Sequence, residues 1–344
     1  MNQMSSAGTW SRKLLFASSV GMFGILALLS CRSRMPNVLA QHSNGRVERG
    51  RYAGAEGTRA WRLFVPARVK TPVTMLVLLH GCLQDAADIT AGSRMDVLAA
   101  EDGFVVLYPE QDVAANPRKC WNWFDIAHQS RGTGEPAIIA GMVAQVATAE
   151  GIDARRVHIA GISAGAAMSG LVSAAYPERF ASVSLMSGVA WKSAMNVGRA
   201  LAVMKDGARG DVRSADELVA AMGTNARAVP TLILHGENDA VLNVRNGDEA
   251  AAQTVAVHNL LRARAGLSPL RQLNKPARTE HGYLVAEQSW LNERSAPVVT
   301  YVRVGTLGHA WSGGAPAGTF TDSAGPDASR FIARFIAQHT LPVR

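Results

Sequence analysis

Residues 156–176 read RVHIAGISAGAAMSGLVSAAY. The first six residues form an apolar, β-branched run of the kind that suits a strand covered on both faces. The last eleven are small and apolar and read as a helix. Between them lies Gly161-Ile162-Ser163-Ala164-Gly165. A strand that turns this abruptly into a helix strains its backbone at the central residue and lifts that side chain above the sheet, so the neighbours must be small. Ala164, Ala166 and Ala167 keep that space open. Gly-x-Ser-x-Gly alone is a common string. Its strand and helix flanks make Ser163 the candidate nucleophile.

The same alternation runs through the chain. Apolar β-rich runs occur at 61–66, 74–80, 104–109, 156–161, 182–187, 231–236 and 298–304, with helical patterns at 135–150, 164–176, 248–266 and 327–339. Strands alternating with helices predict an α/β domain with a mostly parallel central sheet and helices on both faces. Residues 46–66 are expected to form an antiparallel edge. Residues 189–229, helical and turn-rich, are a candidate cap over the carboxyl edge of the sheet. The chain of 344 residues shows no internal repeat or low-complexity linker, and 45–341 reads as one catalytic domain.

A serine hydroxyl is a weak nucleophile and needs a base, which in turn needs an orienting carboxylate. Asp239 falls in the loop after the strand TLILHG, and His309 in the loop after the last strand. Strand ends followed by loops are where such sheets bind ligands. Glu237 and Asp248 are the competing acids, but Asp248 is expected to cap the next helix. Among the other histidines, His235 ends a strand and is expected in the core, His258 lies within a helix, and His281 lies in a polar stretch. A developing oxyanion needs two backbone N–H donors. Ala164, after the serine, supplies one. Cys82 supplies the other, from the turn His80-Gly81-Cys82 that ends the run LVLLHGCLQ (76–84).

The formal charge of +8 is scattered, with no basic stripe or aromatic-interleaved basic motif, so no nucleic-acid partner is expected. Arg12 and Lys13 precede an uncharged apolar stretch from Leu14 to Ser30, the pattern of an export leader over 1–30. Three readings of its fate stand. LLSC at 28–31 would lipidate Cys31; VLA at 38–40 would be cleaved before Gln41; the leader would remain as an anchor. Residues 31–44 read as a flexible mature N-terminus. Each reading places the domain outside the cytoplasm, touching membrane only through lipid or leader. Beyond Cys31 the cysteines are Cys82 and Cys120, and an oxidising compartment predicts a disulfide between them.

LLHGCLQ, YPEQ, NPRKCWNWF, RVHIAGISAGAAM, ILHGENDAVLN and GHAWSGG, in this order, resemble the short-chain polyhydroxyalkanoate (polyhydroxybutyrate) depolymerase family of esterases over roughly residues 45–340. Feruloyl and acetylxylan esterases are related to that family. The resemblance implies an α/β-hydrolase fold, a serine carboxylic ester hydrolase with Ser163, Asp239 and His309 as its triad, and no metal or cofactor. The family often has a second glycine where this chain has Ala166, a change the turn is expected to tolerate. Secreted polymer depolymerases of this group usually carry a separate polymer-binding domain, whereas here only enough chain for one helix follows His309. The expected substrate is therefore a small or oligomeric ester. Trp121, Trp123 and Trp311 are expected to wall the ester pocket. A peptidase on the same fold is the rival, since the triad does not distinguish esters from amides, but no gating domain or acidic cluster for a peptide terminus is evident. A non-catalytic scaffold would be expected to lose a triad member, and none is lost.

Overall fold

Six parallel strands form the centre of one sheet, in the order β4 (Val105–Glu110), β3 (Met75–Leu79), β5 (Val157–Ile162), β6 (Ser182–Met186), β7 (Thr231–Gly236) and β11 (Pro297–Val304). The computed structural model describes residues 45–342. The leader over 1–30, Cys31 and the segment 31–44 lie outside the described residues. At one edge the antiparallel hairpin β1 (Gly45–Gly54) and β2 (Gly57–Pro66) joins β4 through β2. At the other, β10 (Tyr283–Leu291) pairs antiparallel with β11 and carries the short strands β8 (Arg271–Asn274) and β9 (Arg278–Glu280). A separate two-stranded pair, β12 (Trp311–Ser312) and β13 (Thr321–Asp322), closes the last loop. This is the α/β-hydrolase arrangement expected from the sequence, with the antiparallel edge at 45–66 as anticipated.

The continuous apolar runs have a simple cause. Alternate residues of each central strand feed two different cores. Met75, Val77 and Leu79 pack with α3 (Gly134–Ala149), α4 (Ala164–Ala175), α5 (Val197–Asp206) and α7 (Arg245–Arg264). Leu76 and Leu78 pack with α1 (Ala86–Ser93), α2 (Met95–Asp102) and α8 (Ala328–Ala337) on the opposite face. A strand buried on both faces cannot alternate apolar and polar residues. The sequence does not reveal the edge strands β8 to β10 or the short pair β12 and β13. β8 is exposed throughout, and β10 alternates between buried and half-buried residues from Val285 onward. The sequence also misses α1 and α2, whose pattern is broken by Arg94 in a left-handed conformation between them.

Two placements differ from expectation. Asp248 does not cap α7. That helix starts at Arg245, and Asp248 sits one turn inside it, accepting from the Tyr301 hydroxyl (2.9 Å) and from Arg303 (3.1 Å). The anticipated cap at 189–229 divides in two. Its α5 lines the central cavity described below, while α6 (Ala215–Met222) packs against α4 and α7 through Leu218, Val219 and Met222.

Several histidines are buried as neutral bases. Burial lowers the pKa of His158 in β5 to about 3, and that of His80 and His258 to about 4, against an ordinary 6.5. Between those limits the unfolded chain binds more protons than the folded one. The stability these residues contribute is complete above pH 6.5 and falls as pH drops towards 4, by up to about 1.4 kcal/mol per pH unit for each. Urea unfolding at about pH 7.5 and about pH 4.5 should show this loss, and His258→Gln should make the slope shallower. Equal stability at both values would refute the account.

Candidate active site

Ser163 joins β5 to α4 at φ 57° and ψ −124°, a conformation non-glycine residues rarely hold. The turn is held by backbone hydrogen bonds. The Ser163 N–H donates to the Met186 carbonyl (2.9 Å), and the Ser163 carbonyl accepts from Ala167 N–H (3.0 Å). The turn lies directly on the end of β3. A Cβ at Gly165 would stand 2.4 Å from the carbonyl oxygens of Leu79 and His80, so no side chain fits there. Ala166, where the family often has glycine, is fully buried and faces Gly188, whose own missing side chain leaves room for the Ala166 methyl. The tolerance expected of the turn thus has a structural cause.

The candidate acid and base meet by a second close approach. A Cβ at Gly236, the last residue of β7, would lie 2.3 Å from the Leu307 carbonyl. This glycine lets the loop after β7 run against the loop after β11, and Asn238 N–H donates to that same carbonyl (3.0 Å). His309 Nδ1–H then donates to Asp239 Oδ2 at 2.8 Å, which leaves Nε2 as the basic nitrogen. Asp239 Oδ1 accepts from the N–H groups of Val241 (2.9 Å) and Leu242 (2.8 Å). Burial opposes ionisation of Asp239, but His309 and the Leu242 N–H outweigh it and hold its pKa below the usual carboxylate value. His235 is in the core as expected and also braces this loop. Its Nε2–H donates to the Leu242 carbonyl (2.8 Å) and lies 3.5 Å from Asp239 Oδ2. Burial lowers its pKa, so it stays neutral beside the carboxylate. Glu237 is exposed and makes no bond to His309 among the described residues.

The turn after β3 supplies the backbone donors. Neither the Cys82 N–H nor the Ala164 N–H has an acceptor among the described residues. His80 sets the direction of the first. Its Nε2 accepts from the Gln111 N–H (3.1 Å), so the proton sits on Nδ1, which donates to the Gly81 carbonyl at 2.7 Å. Carbonyl and N–H of one trans peptide point in opposite directions. Drawing the Gly81 oxygen back to His80 therefore turns the Cys82 N–H away from it. Gln84 accepts from the Gly81 N–H (2.9 Å), and Gln111 donates to the Cys120 carbonyl (2.9 Å) and to buried Glu135. Glu135 also accepts from the backbone and side chain of Asn122. Sequence reading did not single out His80, Gln84, Gln111 or Glu135, although the first three lie within the strings LLHGCLQ and YPEQ. The expected Cys82–Cys120 disulfide is present.

Ser163, His309, Cys82 and Gly81 border one cavity of about 490 Å³. Neither Ser163 Oγ nor His309 Nε2 has a hydrogen-bond partner among the described residues. The other walls of the cavity are mostly apolar: Trp123 and Phe124 behind the disulfide, Leu201 and Met204 of α5, Val241, and Phe320. Of the three tryptophans expected there, only Trp123 is in place. Trp121 is fully buried, and its indole N–H donates to the His80 carbonyl (3.1 Å), supporting the turn from behind. Trp311 is 1% exposed and donates to Ser329 Oγ (3.0 Å) in the opposite core. In both cases the indole found its partner in the interior. Leu201, Met204, Val241 and Phe320 were not anticipated, because no motif marks an exposed or half-buried apolar residue on a helix or loop.

The model of the esterase PHB depolymerase family matches residues 60–268, a span that holds Ser163 and Asp239 and ends before His309. The chain is 30% identical over 270 residues to poly(3-hydroxyalkanoate) depolymerase C of Paucimonas lemoignei, covering 76% of this chain and 60% of that one. It is 30% identical over 184 residues to acetylxylan esterase A of Talaromyces purpureogenus, covering 52% of this chain and 46% of that one. It thus spans less than two thirds of the length of these curated relatives. Among solved structures, acetyl xylan esterase from Aspergillus awamori shares the fold, with a TM-score of 0.61 at 21% identity over 77% of this chain and 94% of that one.

The disulfide joins the residue carrying one free N–H to the loop carrying Trp123 and Phe124, and closes a separation of 38 residues. In the chain-entropy account such a loop contributes about 4 kcal/mol. Cys120→Ser should therefore lower the Tm, and should also lower kcat/KM for an ester substrate. A variant that melts earlier but keeps full turnover would reduce the bridge to a plain staple.

Proposed function

The chain belongs to the esterase PHB depolymerase family, and from that premise we propose that it is an exported serine carboxylic ester hydrolase working through an acyl-enzyme. The observation that carries this reading is the Asp239–His309 pair at 2.8 Å, opening onto the same cavity as Ser163 in its strained turn. Ser163 Oγ attacks the ester carbonyl as His309 Nε2 takes its proton, the two atoms closing to hydrogen-bond distance once substrate is bound. Negative charge developing on the carbonyl oxygen is met by the N–H groups of Cys82 and Ala164, the latter at the positive end of α4. Asp239 stays ionised and stabilises the imidazolium. His309 then protonates the leaving alcohol. Water, deprotonated by His309, attacks the acyl group and releases Ser163.

The substrate class we assign is a short-chain or hydroxyacyl ester, small or oligomeric. The apolar walls and volume of the cavity support it, as do the names of the relatives. An acetylxylan or feruloyl ester is the second reading, favoured by the acetylxylan esterase relative. Export is supported by the leader pattern at 1–30 and by the disulfide, which persists in oxidising compartments. Lipid at Cys31 or a retained leader would be its route to a membrane.

Purified protein should hydrolyse p-nitrophenyl butyrate, and Ser163→Ala should lower kcat by at least about a thousandfold without lowering the Tm. Full activity in that variant would end the assignment. A panel of hydroxybutyrate oligomers, methyl ferulate and acetylated xylan would separate the substrate readings.

A further inference from the structure

Phe320 is out of place in both its backbone conformation and its exposure. Its φ is 50°, in the left-handed region where glycine and asparagine are at home and a bulky side chain is not. The residue is 41% exposed, so burial does little to offset that strain. The backbone is nonetheless held firmly. The Phe320 carbonyl accepts from the Trp311 N–H (2.7 Å), beside the β12–β13 pair. One residue earlier, Thr319 N–H donates to Asp88 (2.8 Å), and the Thr319 carbonyl accepts from Gln84 (3.0 Å). Gln84 is the same side chain that holds the Gly81 N–H. The strained residue is thus fixed to the frame that sets the backbone donors. Its ring borders the cavity and stands edge-on to the His309 imidazole, with centroids 6.2 Å apart and planes at 74°.

The geometry points to Phe320 as a specificity-determining residue that contacts the alcohol portion of the ester. This rests on the reading of Ser163 and His309 given above. In that reaction His309 delivers its proton to the leaving oxygen, so the alcohol must lie on the His309 side of the cavity during acylation. The aromatic wall next to His309 is Phe320, whereas Trp123 belongs to the loop held by the disulfide. The preferred substrates are esters whose alcohol carries an apolar body large enough to lie against an aromatic ring. Because the alcohol has left before deacylation, Phe320 acts on kcat/KM through acylation and not on hydrolysis of the acyl-enzyme.

Benzyl butyrate and methyl butyrate test this, since they share an acyl group and have leaving alcohols of similar basicity. Wild type should favour the benzyl ester. Phe320→Gly should reduce that preference about tenfold, the scale of losing one apolar wall, and Phe320→Tyr should restore it. Because glycine relieves the backbone strain, the Tm of Phe320→Gly should equal or exceed that of wild type. An unchanged benzyl-to-methyl ratio, or an equal fall for both esters, would overturn the assignment. Labelling of Ser163 by a fluorophosphonate separates the two levels. Wild type that does not label would defeat the esterase reading itself, whereas labelled wild type and variant with the same ratio would defeat only the role of Phe320.

Discussion

The structure depends on how closely the turn at Ser163 lies on the end of β3. Only a residue without a side chain fits at Gly165, because the carbonyls of Leu79 and His80 occupy that space. This contact fixes two things together. It sets the candidate nucleophile at one end of β5, and it brings the free N–H of Cys82 to the same cavity from the neighbouring strand. The strained backbone of Ser163 costs on the order of 1–3 kcal/mol. It persists because β5 is paired on both sides and its turn is bonded to the end of β6.

Around that contact lies a buried polar frame. Arg59, Gln111 and Glu135 bond to one another, and through the Gln111 backbone they reach His80. Buried polar groups are expensive unless each finds its partners. Here the partners are the turn after β3, the Cys120 carbonyl and Asn122. The frame holds the Gly81–Cys82 peptide from both sides, with the Gly81 carbonyl drawn to His80 and the Cys82 N–H turned away from it. Such preorganised donors need no reorientation when charge develops. The loop after β7 uses the same device on the acid side, where Asp239 and the Leu242 carbonyl are both held, the latter by neutral His235.

Much of this was legible in the sequence because burial on two faces writes continuous apolar runs, and every central strand was found that way. Ser163, Asp239 and His309 were legible because each follows such a run at its carboxyl end. Ring orientation was not legible. Trp121 and Trp311 lie within two residues of candidate site residues in sequence, yet each indole turns inward to an acceptor that only the fold supplies. Phe320 lies in a polar, glycine-rich stretch that gives no sign of a ring held against His309. The edge strands β8 and β9 were missed because a largely exposed strand carries no apolar run, and β10 because its buried face includes the polar Glu287 and Ser289.

The order of the strands has a consequence for how the molecule comes into being. Cys82, Ser163, Asp239 and His309 follow the ends of β3, β5, β7 and β11, and in the chain β11 comes only after the long excursion through α7 and the β8–β10 edge. Parallel pairings of this kind join segments far apart in the chain and form slowly, after the loss of loop entropy has been met. His309 and Asp239 meet only when β11 has docked. Until that last parallel strand is in place, Ser163, Asp239 and His309 have no common arrangement, and the candidate site does not yet exist.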